Sequence, residues 1–211
     1  MPSVFILDHD YSFIDMFVDE GWTVADNLKD ADLVQFTGGE DVYPRLYGQP
    51  DHPLTYSNPN RDNQEMAVFR KAFLLGKRMA GVCRGGQFLN VMSGGAMYQH
   101  VNEHGLYGTH LVYDKWTGET FEATSTHHQM MKPSNKGLLI ATGGNLATTK
   151  QFCSAEGLIV EDSPLTEEDC EVVYYPHTQA LCFQPHPEYN NGLICRVKYF
   201  EYINRYLFNE G

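Results

Sequence analysis

The feature that most constrains the fold is an alternation of short apolar runs with amphipathic runs in the first hundred residues. "SVFILD" (3–8), "ADLVQFTGGED" (31–41) and "RMAGVC" (78–83) are typical of buried strands, because apolar residues dominate short stretches bounded by turn residues. Strands and helices that alternate at this rhythm predict an α/β fold with a mainly parallel sheet. In such a sheet, reactive groups gather at the carboxyl ends of the strands.

Apolar residues at helical spacing predict the helices of this first half. In "YSFIDMFVDEGW", Phe13, Met16 and Phe17 share one face and Gly21 ends the helix. "RDNQEMAVFRKAFLLGK" (61–77) predicts a second helix, for which Asn60 or Asp62 is the expected N-cap. The apolar face predicted for this second helix consists of Met66, Phe69, Phe73 and Leu74.

The second half of the sequence is rich in strand-forming residues. "WTGET" (116–120) lies between two such runs and predicts a hairpin, and further strands follow up to "CFQPHPEY". A final amphipathic helix is expected from about Leu193 to Phe208. All or some of Ile194, Val197, Phe200, Tyr202 and Ile203 are expected to be buried in it. These strands add an antiparallel part to the sheet, and residues 1–211 are expected to form a single domain.

Charge and composition exclude some classes of function. The net charge of −12 argues against a non-specific nucleic-acid binder, which needs a basic face. No apolar run reaches the length of a membrane-spanning helix, and the start of the chain lacks a basic signal-peptide region. The five cysteines show no CxxC spacing, so reduced thiols are expected. We therefore expect a cytoplasmic protein that acts on a small substrate.

One cysteine stands at a position where a nucleophile could be built. In "GVCRGGQ" (81–87), Cys83 follows a predicted strand and precedes a predicted helix, and small neighbours would permit the tight turn that a nucleophile needs. The helix N-terminus favours a thiolate, and the amide after the nucleophile could bind an oxyanion. The alternative is that Cys83 is an inert core residue, as most free cysteines are.

A possible partner for this thiol lies near the end of the chain. In "FQPHPEY" (183–189), His186 could serve as base and acid, and Glu188 could orient its imidazole. A histidine between prolines is more often structural, so "HPE" taken alone indicates little. Together with the glycine-flanked cysteine it predicts a Cys83–His186–Glu188 triad.

Two other histidine motifs raise the question of a metal. "HVNEH" (100–104) matches the H-x-x-E-H pattern, which requires both histidines on one helical face, but glycines on both sides leave little room for a helix. His110 would be a loose third ligand. In "HHQ" (127–129), adjacent side chains on a strand point to opposite faces, so one histidine is expected to face the cleft. We therefore predict no metal site from the sequence.

Five segments together resemble the class I glutamine amidotransferases, and more closely the branch that contains the γ-glutamyl-γ-aminobutyrate hydrolases. They occur in the order of that family and span about the whole chain. The segments are "TGGEDVYPRLYG" (37–48), "RDNQE" (61–65), "GVCRGGQFLNVMSGG" (81–95), "TSTHHQ" (124–129) and "FQPHPEY" (183–189).

The resemblance implies a flavodoxin-like α/β core in which Cys83 is the nucleophile, His186 the base and Glu188 the residue that orients it. It also implies that the backbone amides of Gly39 and Arg84 form the oxyanion hole. Four further positions resemble segments that hold the glutamyl end of the substrate: Gly38, Gln87, His127 and His128.

Two activities are compatible with this resemblance. The first is a glutaminase that hydrolyses the γ-amide of glutamine and supplies ammonia to a separate synthase, and the second is a stand-alone hydrolase of γ-glutamyl amines or peptides. The short chain favours the first, and the closest local resemblance favours the second; the first is our prediction. Both proceed through a γ-glutamyl thioester and require no metal or organic cofactor.

Overall fold

The computed structural model of the chain describes residues 1–105, 108–162, 167–189 and 193–208. Its strands are β1 (Ser3–Ile6), β2 (Thr23–Val24), β3 (Leu33–Phe36), β4 (Arg78–Val82), β5 (Ala96–Tyr98), β6 (His100–Val101), β7 (Gly108–Asp114), β8 (Thr120–Ser125), β9 (Met130–Lys132), β10 (Leu138–Thr142), β11 (Lys150–Cys153), β12 (Ile159–Asp162), β13 (Cys170–Tyr175) and β14 (Ala180–Phe183). Its α-helices are α1 (Tyr11–Asp19), α2 (Pro59–Leu74), α3 (Arg84–Met92) and α4 (Leu193–Tyr202).

A large mixed sheet organises the described residues. Its nine strands lie in the order β2-β1-β3-β4-β14-β13-β10-β7-β8. Pairing from β2 to β14 is parallel, whereas β13, β10, β7 and β8 pair antiparallel. The α/β class and the antiparallel addition from the second half are therefore confirmed, including the hairpin of β7 and β8.

The register of two central strands determines where the site lies. β4 and β14 are parallel neighbours, and Val82 is paired with Phe183 at their carboxyl ends. The residues that follow these strands leave the sheet at the same edge, although about a hundred positions separate them in sequence. Cys83 and the "QPHPE" segment are thereby brought to one place.

Helix α1 follows the predicted pattern. The Asp10 side chain caps it by accepting a hydrogen bond from the Ser12 backbone N–H (2.9 Å). The predicted apolar face is buried, and the Phe17 ring makes edge-on contacts with Trp22 and Phe200. This aromatic cluster attaches α1 and α4 to the same face of the sheet.

Helix α2 buries only part of the predicted face: Phe69 is buried and Met66 packs against the core, as predicted. Its cap is Asn58, whose side chain accepts a hydrogen bond from the Arg61 N–H, and not Asn60 or Asp62. Phe73 and Leu74 are exposed, at 49% and 83%, although apolar spacing places both on the buried face. The residues that do face inward are Asp62, Glu65, Phe69 and Ala72. Two carboxylates therefore point into the protein, where they find a buried cation.

The last helix is shorter than predicted and changes its winding. After α4 ends at Tyr202, residues Ile203–Leu207 form a π-helical turn. Ile194 and Val197 are about half exposed, whereas the face formed by Cys195, Tyr199, Tyr202 and Ile203 packs on the sheet. No helix among the described residues combines the length and apolar character needed to cross a membrane.

Candidate active site

Cys83 occupies a strained turn between a strand and a helix. It follows β4 directly and precedes α3, with φ of 49° and ψ of −114°. Positive φ is costly for a residue with a side chain, and such strain is concentrated at functional sites. The side chain is mostly buried, at 8% exposure, but it borders a cavity. This is the strand-to-helix elbow in which a nucleophile projects beyond the end of a sheet.

The glycines around Cys83 permit a close approach of the backbone. A Cβ atom at Gly85 would lie 2.5 Å from the carbonyl oxygen of Phe36, which is well inside van der Waals contact. A Cβ atom at Gly81 would collide with the backbone of Gly85. Both positions therefore require glycine if α3 is to start against β3 and β4.

His186 lies beside this turn with its partner carboxylate. Its Nδ1 is 2.6 Å from Glu188 Oε1, and its backbone N–H donates to Thr124 Oγ1 at 2.6 Å. Burial acts to lower the pKa of His186, but hydrogen bonds and charge attraction from Cys83 and Glu188 outweigh it and raise the pKa to about 11. The imidazole therefore favours its protonated form next to Cys83.

A small cavity opens onto Cys83. Its volume is about 190 Å³. Its walls come from the loop after β3, the start of α3 and the segment between β8 and β9. The lining residues are Gly39, Glu40, Asp41, Tyr56, Cys83, Gln87, Thr126, His127, His128 and Gln129. Carboxylate-bearing and imidazole-bearing residues therefore line the same cavity as Cys83.

Of the two residues predicted for the oxyanion hole, Gly39 lines this cavity and Arg84 directly follows Cys83 in the chain. Arg84 is the first residue of α3, so its backbone N–H is one of the helix's first N–H groups, which have no partner within the helix. Gly39 has φ of 141°, and a Cβ atom there would collide with the guanidinium of Arg61. The oxyanion-hole role of both backbone amides stays a prediction.

Arg61 positions the Gly38–Gly39 loop, a role that sequence reasoning missed. Its Nη2 donates to the Gly38 carbonyl oxygen at 2.8 Å and to Thr37 Oγ1 at 3.2 Å. The same guanidinium is paired with Glu65 at 2.9 Å. Arg61 is the first residue of the "RDNQE" segment, which is part of the family resemblance. Its role was missed because a charged residue in the first turn of a helix is usually solvated.

The Arg84 side chain is also a missed element. It is 1% exposed and forms ion pairs with Asp62 and Glu65, both of them buried on α2. Burial, together with the nearby charge of Arg61, lowers the pKa of Arg84 to about 10. The side chain does not line the cavity but reaches α2, and its ion pairs connect the start of α3 to that helix.

The predicted substrate-binding residues differ in their placement. Gln87, His127 and His128 line the cavity. Gly38 is not among its lining residues but lies beside His186, where an added Cβ atom would be 3.2 Å from Cε1. Gln87 Nε2 donates to Gln184 Oε1 at 3.1 Å, so its side-chain amide is already hydrogen-bonded within the protein.

The spacing of the two histidines in the "HHQ" segment predicts that they lie on opposite faces of a strand, and this prediction is wrong. They lie instead between β8 and β9, and both contribute to the wall of the cavity. His128 is half exposed, and its Nε2 lies 3.1 Å from Asp41 Oδ1, a hydrogen bond that raises its pKa. His127 is buried, which lowers its pKa to about 4.

The "HVNEH" motif does not form a helical metal site. His100 belongs to β6, and a bend follows Val101, so the two histidines do not share a helical face. His104 is fully buried, against Asp169 and Glu171.

Comparison with known proteins places this fold, a mixed α/β sheet with a cavity beside Cys83, in an amidase-type class of enzyme. Residues 16–115 match the family model described as Peptidase C26. The chain belongs to the glutamine amidotransferase-like family: it is 34% identical over 164 residues to the glutamine amidotransferase-like protein YvdE of Lactococcus lactis. That match covers 64% of this chain and 70% of the relative. Membership in the family supports an enzyme of the amidase type.

Solved structures show the same fold at low sequence identity. A glutamine amidotransferase from Thermotoga maritima is 13% identical, covers 99% of this chain and 90% of its own, and has a TM-score of 0.59. A protein from Thermoplasma acidophilum described as a GMP synthase subunit is 11% identical, covers 97% of this chain and 98% of its own, and has a TM-score of 0.54.

Proposed function

We propose that this protein is a glutaminase that hydrolyses the γ-amide of glutamine through Cys83 and supplies ammonia to a separate synthase. The observation that carries the proposal is the position of Cys83: a strained elbow that borders a small cavity and lies next to the His186–Glu188 pair. A thiol that served only to pack the core would not need positive φ or an imidazole beside it.

The reaction would proceed in two halves. The Cys83 thiolate attacks the γ-carbonyl carbon, and the Gly39 and Arg84 amides stabilise the oxyanion that forms. The C–N bond breaks as His186 donates a proton to the leaving ammonia, which leaves a γ-glutamyl thioester on the sulfur. His186 then removes a proton from water, the resulting hydroxide displaces the thiolate, and glutamate is released.

The mouth of the cavity supports an amino acid as the substrate. The Glu40 and Asp41 carboxylates line it and would attract an α-ammonium group, and the half-exposed imidazole of His128 could donate to an α-carboxylate. The Glu40 side chain is 53% exposed and is paired with Arg61 Nη1 through Oε2 at 3.1 Å, so an incoming ligand can still reach this carboxylate. These groups would distinguish glutamine from a simple amide.

A second candidate, the stand-alone γ-glutamyl hydrolase, is favoured by the Peptidase C26 match over residues 16–115. Likeness of fold to a protein described as a GMP synthase subunit supports the first candidate. The two differ in the leaving group, since ammonia is released from glutamine and an amine or amino acid from a γ-glutamyl compound.

The test compares ammonia release from glutamine with amine release from a panel of γ-glutamyl amines and peptides, using the isolated protein. Weak glutaminase activity that rises when a co-purifying synthase is added supports the first function. Rapid turnover of γ-glutamyl amines without a partner overturns it in favour of the second.

Two variants test the role of the thiol itself. Cys83→Ala should abolish glutamate release and the mass increase of one glutamyl group that denatured enzyme shows after rapid quenching. Cys153→Ala is the matched control, because Cys153 lies in β11 with its sulfur 3.7 Å from the Asp51 carbonyl oxygen and does not line the cavity. Normal turnover by Cys83→Ala would show that the nucleophile is misassigned.

A further inference from the structure

Three imidazoles surround one buried carboxylate behind the wall of the cavity. Glu171 on β13 is fully buried, and the side chains of His104, His110 and His127 are 0%, 9% and 2% exposed. The four residues come from separate parts of the chain. We call this set the histidine cluster.

The nitrogen atoms of the histidine cluster converge on a single carboxylate oxygen. Glu171 Oε1 lies 3.0 Å from His110 Nε2, 3.5 Å from His104 Nδ1 and 4.0 Å from His127 Nε2. Zinc–nitrogen bonds of about 2.0–2.1 Å in tetrahedral geometry place neighbouring ligand atoms roughly 3.3 Å apart. Ligand atoms of His104, His110 and Glu171 all lie within 4.8 Å of one another, a spacing that one metal ion can bridge, and His127 Nε2 lies just outside this group.

The hydrogen bonds on the outer side of two rings determine which nitrogens carry protons. His104 Nε2 donates to Asp169 Oδ2 at 3.0 Å, and His127 Nδ1 donates to the Gln129 carbonyl oxygen at 2.8 Å. Both acceptors lack a hydrogen, so the protons must lie on these outer nitrogens. In the neutral rings, the inner nitrogens therefore present lone pairs.

Those inner nitrogens have no hydrogen-bond donor among the described residues. His104 Nδ1 and His127 Nε2 are buried and unsatisfied, and each faces the Glu171 carboxylate. Two lone pairs and a carboxylate directed at one point repel each other unless a proton or a metal ion lies among them. Buried acceptors of this kind require an explanation.

The surrounding charges favour a metal ion. Lys150 Nζ lies 2.8 Å from Asp169 Oδ1 and offsets that carboxylate, which leaves Glu171 as the anionic group of the cluster. Metal-bound histidines almost always donate their second nitrogen to a carboxylate or a backbone carbonyl. His104 and His127 have those two partners.

We propose that the histidine cluster is a structural zinc site, with His104 Nδ1, His110 Nε2 and Glu171 Oε1 as ligands and with His127 Nε2 moving inward to become the fourth. On binding, the hydrogen bond between His110 and Glu171 is lost, and the His110 proton moves to Nδ1. Because all four positions are protein groups, no coordination position is left for a substrate, which is typical of a structural site. The donor set takes His104 from the "HVNEH" motif but neither His100 nor Glu103.

The consequence for the protein is local. His127 and Gln129 line the cavity next to Cys83, and Gln129 also receives the outer hydrogen bond of His127. A zinc ion would hold this wall in place from behind and would couple metal binding to folding.

The first experiment uses the wild-type protein purified without chelator. Elemental analysis should find about one zinc ion per chain, with X-ray absorption indicating nitrogen and oxygen ligands and no sulfur. Removal with a chelator should lower Tm, and zinc chloride, but not magnesium chloride, should restore it. If the protein holds no zinc, even after refolding with zinc chloride, and its Tm does not respond, the proposal is wrong.

Variants locate the metal. His110→Gln and Glu171→Gln should each weaken zinc binding at least tenfold. His177→Gln is the matched control, because His177 is exposed and lies outside the cluster, and it should bind zinc normally. Cys83→Ala should also keep its zinc. Loss of zinc in Cys83→Ala, with retention in His110→Gln, would place the metal at the thiol and overturn the proposal.

Discussion

Replacement of Arg84 by methionine tests how the start of α3 is held. Arg84, Asp62 and Glu65 are 1%, 1% and 2% exposed, so the substitution leaves two carboxylates inside the protein without their shared cation. Glu65 would keep its ion pair with Arg61 at 2.9 Å. Asp62 would keep only the backbone N–H of Tyr43, at 3.1 Å.

The expected loss follows from this burial. Removing one partner of a buried ion pair costs about 3–5 kcal/mol, because the remaining charge is buried and uncompensated. A domain has a free energy of unfolding of roughly 5–15 kcal/mol, so Arg84→Met should lose a large part of its stability. Urea denaturation of both proteins measures this difference directly.

The pH dependence of that loss is a second readout. Burial already raises the pKa of Asp62 in the wild type, and without Arg84 it should rise further. A carboxyl whose pKa is raised in the folded state binds more protons there than in the unfolded chain, so acidification favours folding at this site. The stability deficit of Arg84→Met should therefore shrink as the pH is lowered from 7 towards the raised pKa.

A triple variant separates charge from packing. Adding Asp62→Asn and Glu65→Gln to Arg84→Met removes the unpaired charges but keeps acceptors for Tyr43 and Arg61, so it should recover at least ~2 kcal/mol. The reasoning is refuted if Arg84→Met loses less than about 1 kcal/mol, the range of an exposed pair, or if the triple variant recovers nothing.

The remaining predictions concern the elbow and its imidazole. Gly85→Ala places a Cβ atom 2.5 Å from the Phe36 carbonyl oxygen and should cost about 1–3 kcal/mol, measured by thermal unfolding; an unchanged Tm would contradict the close packing of this turn. Glu188→Gln removes a group that raises the pKa of His186 to about 11, so the imidazolium should lose its proton at a lower pH. Alkylation of Cys83 by iodoacetamide at pH 7 should then slow by about tenfold, and an unchanged rate would rule out the carboxylate's role.

Local features account for what could be predicted correctly. The strand and helix alternation, the α1 face and the hairpin depend on residues that are neighbours in sequence, so their spacing alone indicates them. The turn at Cys83 could also be predicted from local features. Its glycines are required by close contacts within one strand–turn–helix unit and with one adjoining strand. The "GVCRGGQ" and "FQPHPEY" motifs are each local as well, so each could be recognised from the sequence. The register of β4 and β14 brings Cys83 and His186 together, and their catalytic role stays a proposal.

Contacts between distant segments account for the failures. Apolar spacing predicts only part of the buried face of α2, because Asp62 and Glu65 also turn inward towards Arg84, which lies about twenty residues later and offers them a buried cation. A carboxylate on a helix normally indicates the solvated face, and nothing near it in sequence shows that a partner exists.

The amino-acid sequence by itself determined the class of fold, the family and the chemistry that each motif could perform, because these depend on residue type and short spacing. Only the tertiary structure decided which charges are buried together and which lone pairs meet. The histidine cluster is the clearest case: His104, His110 and Glu171 are separated by up to 67 positions, and only the packing of β7 and β13 in one sheet brings their nitrogen and oxygen atoms within hydrogen-bond reach.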